Sequence, residues 1–139
     1  MTVVVDASVA AMWFLPEEHS GHAFALLASG NELAAPDLLR VEVASALLKA
    51  VRRRQVKADY AANALLALRP PALKLFPTLE HLDSAFAIAE RHGGSIYDAL
   101  YISVARLLDA PLVTNDSRLA TVAKSAGVEA RLISRGPLV

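Results

Sequence analysis

Val3-Val4-Val5 constrains the fold more than any other stretch of this chain. Three β-branched residues in a row, with no polar residue between them, fit a strand buried on both faces. Such a strand belongs inside a sheet that has helices above and below it. The run ends at Asp6. A second short apolar run, Leu112-Val113-Thr114, is followed two residues later by Asp116. Ligands of an open parallel sheet gather beyond the carboxyl ends of its strands, so both aspartates are expected at one crevice.

The stretches between these runs read mostly as helix. Residues 8–15 predict a short helix stopped by Pro16, and 17–29 a second one ended by Gly30. Leu33-Ala34-Ala35 is a brief strand. A long helix opens at Pro36-Asp37 and runs to about Arg53, and another, over 58–68, is closed by Pro70-Pro71. Leu73-Lys74-Leu75-Phe76 reads as a strand before Pro77. Residues 79–92 are helical up to Gly93-Gly94, 95–108 form a further helix, 117–126 a helix ended by Gly127, and 130–133 a last strand. The tail after Ser134 reads as loose. Apolar strands alternating with helices predict an α/β protein of three layers, α/β/α, around a short, mainly parallel sheet of four to five strands. No repeat, low-complexity tract or linker divides the 139 residues, so 1–139 are expected to form one domain.

Composition removes several chemistries. The chain has no cysteine, which excludes disulfides, thiolate zinc sites and cysteine nucleophiles, and is compatible with a reducing compartment. Lysine and arginine number 14 and aspartate and glutamate number 14, so any grip on a nucleic acid must come from local clustering or bound metal. The apolar run over 9–15 is too short to span a bilayer, and the N-terminus carries no basic residue. A soluble, cytoplasmic protein is expected. Its 55% hydrophobic content suffices for a core with apolar surface left over for a partner.

Four acids are hard to read as ordinary surface charge: Asp6, Glu42, Asp98 and Asp116. Gathered at one end of a sheet, their oxygens would suit a hard divalent cation, and such a cation suits phosphodiester chemistry. Each also has a plainer explanation. Asp6 and Asp116 stand where they can cap the helices that follow them, and Ser95-Ile96-Tyr97-Asp98 matches a capping box. Glu42 shares a helical stripe with Ser45, Lys49 and Arg53, with Val41, Val43, Ala44, Leu47, Leu48 and Val51 on the opposite side, and is expected to face away from the core on a wet cleft wall. Asp98 lies on a mostly apolar helix and has no arginine or lysine one turn away, so it calls for a cation from elsewhere.

In this order and at this spacing the four acids resemble those of the PIN-domain nuclease family, over nearly the whole chain. Val4-Val5-Asp6-Ala7-Ser8 is similar to the family's first strand with its metal-binding aspartate. Glu42, within the stretch from Pro36 to Ala44, matches the helical glutamate. Ser95-Ile96-Tyr97-Asp98-Ala99-Leu100-Tyr101 is similar to the segment carrying the third acid, and Thr114-Asn115-Asp116 to the ending that carries the fourth. The short length resembles the toxin component of bacterial VapBC toxin-antitoxin pairs. The resemblance implies a PIN-like fold and a magnesium- or manganese-dependent endoribonuclease with Asp6, Glu42, Asp98 and Asp116 as catalytic and metal-binding residues. It further implies a cognate antitoxin and a homodimer, extending to a heterotetramer or larger assembly with that antitoxin.

Ser8, Thr114 and Asn115 are candidates to hold the aspartates or a metal-bound water, and local turn bonding is their alternative. Lys49, Arg52, Arg53, Arg54 and Lys57 cluster at the end of the Glu42 helix, where they could steer an RNA backbone or simply complement the helix dipole. The four histidines show no ligand spacing and are expected at the surface. Trp13, Phe14, Leu15 and Pro16 form an apolar group suited to core packing or to an antitoxin. Two other readings stay open: a housekeeping RNA-processing nuclease, and a non-catalytic binding module of PIN-like or receiver-like type. A receiver would need a lysine after its late strand, where Ser134 and Arg135 stand instead.

Overall fold

The computed structural model describes residues 1–136. Five strands, β1 (Thr2–Val5), β2 (Glu32–Pro36), β3 (Lys74–Phe76), β4 (Leu112–Thr114) and β5 (Ala130–Leu132), form one sheet in the order β3-β2-β1-β4-β5. Every neighbouring pair is parallel. From β1 the chain builds outward through β2 to β3, then returns to the other side of β1 for β4 and β5. The order therefore reverses between β1 and β4, and a crevice opens at the carboxyl ends of those two strands.

Val3, Val4 and Val5 are wholly buried. Successive strand residues point to opposite faces, so both faces of the central strand are covered, as their lack of alternation requires. Seven helices provide the cover: α1 (Ala7–Met12), α2 (Ser20–Leu27), α3 (Leu38–Arg52), α4 (Ala58–Ala67), α5 (Leu82–His92), α6 (Ile96–Leu108) and α7 (Ser117–Ser125). In α6 every residue from Ala99 to Ala105 is buried, as befits a helix that packs on β1 and β2 and also against α5. Among the described residues no helix is long and apolar enough to cross a membrane.

The structure departs from the sequence pattern in several places, the first helix for one ending at Met12 and not at Leu15. The second helix starts at Ser20 rather than 17, because the Ser20 hydroxyl accepts the Glu17 N–H at 2.7 Å and holds the preceding turn outside the helix. The fifth is preceded by a 3-10 turn over Thr78–His81. That turn swings His81 inward, so it is buried rather than at the surface, with Nδ1 2.7 Å from the Ser103 hydroxyl of α6. In α3 the buried stripe is Leu39, Val43, Leu47 and Ala50, while Val41 is 65% and Leu48 48% exposed, which corrects the expectation that both face the core. Glu42 thus borders the buried stripe instead of opposing it. Finally, Ile133–Arg135 closes as a 3-10 turn, so Arg135, the first residue of the tail expected to be loose after Ser134, is held in a turn, and residues 137–139 of that tail lie outside the described residues.

Candidate active site

Asp6 leaves the end of β1 with its N–H bonded to the Val113 carbonyl at 3.3 Å, and it caps α1. Its side chain is held from three directions. Oδ1 accepts from the Ser8 hydroxyl at 2.6 Å and the Val9 N–H at 3.2 Å, and Oδ2 accepts from the Thr114 hydroxyl at 2.5 Å. Thr114 is itself wholly buried, and its Oγ1 also accepts the Asp116 N–H at 3.0 Å. Ser8 makes a second stitch by accepting the Asn115 N–H at 2.9 Å. Two hydroxyls therefore tie the end of β1 to the loop after β4, with Asn115 contributing its backbone. Burial pushes the Asp6 carboxyl up to about 6, against those donors and with help from the charge on Glu42.

Glu42 reaches the crevice from the edge of the buried stripe of α3. Its Oε1 accepts the Tyr101 hydroxyl at 2.6 Å. Burial raises its pKa, the Tyr101 bond opposes the rise, and the charge of Asp98 adds to it. Asp98 stands in the first turn of α6, where the Ser95 hydroxyl accepts its N–H at 3.0 Å. Its pKa is also raised, by burial and then by the charge of Asp116, while hydrogen bonds to Ser95 and the charge of Arg118 pull the other way. Asp116 caps α7, with Oδ1 accepting the N–H of Arg118 at 2.8 Å and of Leu119 at 3.4 Å. Capping and convergence coexist: Asp6 and Asp116 each satisfy a helix start and still face the crevice.

Electrostatic coupling runs from Asp6 to Glu42, from Glu42 to Asp98 and from Asp98 to Asp116. Among the described residues the one ion pair is Arg131 with Glu129 at 3.9 Å, so none of the four acids touches a cation. Nor, among the described residues, are three acidic or histidine side chains already closed around one point. Like charges with no counter-ion repel, which accounts for an open arrangement. The donor set, carboxylate oxygens with excess negative charge and no soft ligand, fits a hard divalent cation that would draw them together.

Two polar residues of this crevice escape a reading of the sequence. Tyr101 looks like core packing on an apolar helix; it is 2% exposed, yet its hydroxyl holds Glu42. Arg118 is the cation that Asp98 lacks along its own helix, and it comes from α7. Gly94 shapes the same area. With φ at +80° it adopts a conformation that side-chain-bearing residues avoid, and a Cβ there would come within 3.2 Å of Val122 Cγ2 on α7. Lys49, Arg52, Arg53 and Arg54 are exposed at the far end of α3. With a 1.5 Å rise per residue, Arg52 is about 15 Å along the axis from Glu42.

The model of the PIN domain family matches residues 3–125. This chain belongs to the PIN domain family. Within this PIN domain, Asp6, Glu42, Asp98 and Asp116 stand in an electrostatically coupled line near the point where the sheet order reverses, without closing around one point. Ribonuclease VapC3 of Pyrobaculum aerophilum is 40% identical over 122 residues, covering 86% of this chain and 93% of that protein. The crystal structure of PAE2754 from the same organism superposes with a TM-score of 0.70 at 26% identity, over 97% of this chain and 94% of that one. The structure of VapBC2 from Rickettsia felis, bound to a DNA fragment from its promoter, shares the fold with a TM-score of 0.63 at 16% identity, over 95% and 98% of the two chains.

Proposed function

We propose that this PIN domain, residues 1–139, is a metal-dependent endoribonuclease that hydrolyses RNA phosphodiester bonds and acts as the toxin of a toxin-antitoxin pair. One observation carries the reading: four carboxylates stand in a coupled line at the switch point, three with raised pKa values and none in contact with a cation. A run of acids kept at that electrostatic cost is what a divalent-ion site requires. The name Ribonuclease VapC3 borne by a relative at 40% identity supports the RNA substrate.

Asp6, Glu42, Asp98 and Asp116 would hold magnesium or manganese. When bound, the ion screens the phosphate charge and acidifies a water for in-line attack. The chain's own contribution is placement. Ser8, Thr114 and the Val9 N–H fix the Asp6 carboxylate, and Tyr101 fixes that of Glu42, so these two would be held in place for an ion toward which Asp98 and Asp116 would close. A cognate antitoxin would hold the enzyme inactive, and a homodimer, alone or within a larger complex with antitoxin, is the proposed assembly. The exposed Val41 and Leu48 on the outer side of α3 supply apolar surface for such contacts.

Sequencing RNA 5′ ends from cells expressing either wild type or Asp98→Asn tests this directly. New ends are expected with wild type alone, together with growth arrest that a neighbouring antitoxin gene relieves. Identical end profiles in the two strains would remove the nuclease assignment. Cleavage without arrest would move the protein to RNA processing.

A further inference from the structure

A cleft of about 810 Å³ opens between the starts of α6 and α7, lined by Gly94 and Asp98 from the one and by Asp116, Ser117, Arg118 and Thr121 from the other. Its size is that of a site for a ligand of a few tens of atoms. Asp98 and Asp116 both line it, so under the proposed function a strand cut beside them would continue into it.

Arg118 is the unusual member. It stands in the first turn of α7, where the helix dipole disfavours a positive charge, so local helix energetics give no reason for it. It is exposed and feels the Asp98 charge, yet it is ion-paired with neither Asp98 nor Asp116. A guanidinium beside surplus negative charge that pairs with none of it stays available to a different anion. A planar fork of donors suits a phosphodiester. Gly94 keeps the rim low, since a side chain there would press on Val122.

We propose that this cleft is a subsite for single-stranded RNA, in which Arg118 grips a backbone phosphate next to the one being cut. The proposal rests on the ribonuclease reading for its substrate, and it differs from a path over Arg52, Arg53 and Arg54 at the far end of α3. Arg118 binds and positions the strand; the acids at the switch point carry the chemistry.

Fluorescence anisotropy of a short labelled single-stranded RNA of mixed sequence tests it, with calcium present to occupy the carboxylates and salt varied. Wild type, Arg118→Gln, Arg118→Lys and the control Arg69→Gln, an exposed arginine after α4, are compared, each with a thermal melt to verify folding. Arg118→Gln is expected to weaken binding about 10-fold and to lower the slope of log K against log salt by about 0.7, the value for one lost phosphate contact on a single strand. Arg118→Lys should keep the slope, and Arg69→Gln should match wild type. Equal losses from Arg118→Gln and Arg69→Gln, or none from Arg118→Gln, would overturn the subsite. RNA bound through Arg118 but uncut in magnesium would overturn the nuclease reading and leave the subsite standing. RNA cut with no dependence on Arg118 would do the reverse, and a wild type that neither binds nor cuts RNA would overturn both.

Discussion

The two ends of the acidic line are built differently. Asp6 is 5% exposed and locked by three donors, whereas Asp98 and Asp116 are only partly buried and open onto a cleft. Both ends face the same crevice, yet only the Asp6 end carries a large desolvation cost. The contrast is one of build: the β1 end is a fixed anchor held at a desolvation cost, and the α6–α7 end is the side left open to solvent.

The strongest way to break this comparison is to neutralise each end in turn. Asp6→Asn and Asp98→Asn are both expected to lower RNA cleavage by about 10²–10³-fold, several kcal/mol of lost charge stabilisation. Their stabilities should diverge. Asp6 holds its proton more tightly folded, at about 6, than in the unfolded chain at 3.8, so protonation favours the fold. That contribution is complete below about pH 4 and is lost as pH rises through about 6, on the order of 3 kcal/mol for this group in metal-free protein. Asp6→Asn should therefore raise the melting temperature of metal-free protein at neutral pH and flatten its pH dependence. Asp98→Asn should shift it the same way but by less, since its partly exposed carboxyl is screened. Equal shifts from the two variants would erase the distinction between anchor and open end.

Next in size is Thr114→Val, which keeps the shape but removes the hydroxyl joining Asp6 to the Asp116 N–H. A loss of about 1–3 kcal/mol in denaturant unfolding is expected, from buried groups left unpaired. An unchanged midpoint would mean that the anchor is not held by this bond. Smallest is Tyr101→Phe. The fold should melt as wild type while the magnesium concentration for half-maximal cleavage rises about 10-fold, because Glu42 loses its orienting donor. A fall in maximal rate at unchanged magnesium dependence would instead tie Tyr101 to the reacting groups.

Much of the architecture could be read from the chain because its signals are local. The central strands β1 and β4 are short apolar runs, and glycine or proline stands at or within a few residues of the ends of α1, α2, α4, α5 and α7, which is why these elements appear near where the pattern puts them. Asp6 and Asp116 were legible because an aspartate that closes an apolar strand has only one end of a sheet to go to. What escaped depends on contacts between distant segments. Tyr101 and Glu42 are 59 residues apart, and nothing in an apolar helix marks which tyrosine sends its hydroxyl across to another helix. Arg118 was hidden for the same reason, since a search along α6 cannot find a cation supplied by α7. In α3 there are more apolar positions than one buried face can use, so periodicity alone could not separate Val43 from Val41.

The Thr114 bond to Asp6 spans 108 residues, nearly the whole length of the polypeptide. During synthesis Asp6 leaves the ribosome 108 residues ahead of Thr114. Until Thr114 follows, Asp6 has neither its buttress nor its distant neighbour Asp116. A nascent chain in which β4 has not yet emerged therefore carries the Asp6 carboxylate without its second hydroxyl tie, and the crevice takes shape only when that strand joins the sheet.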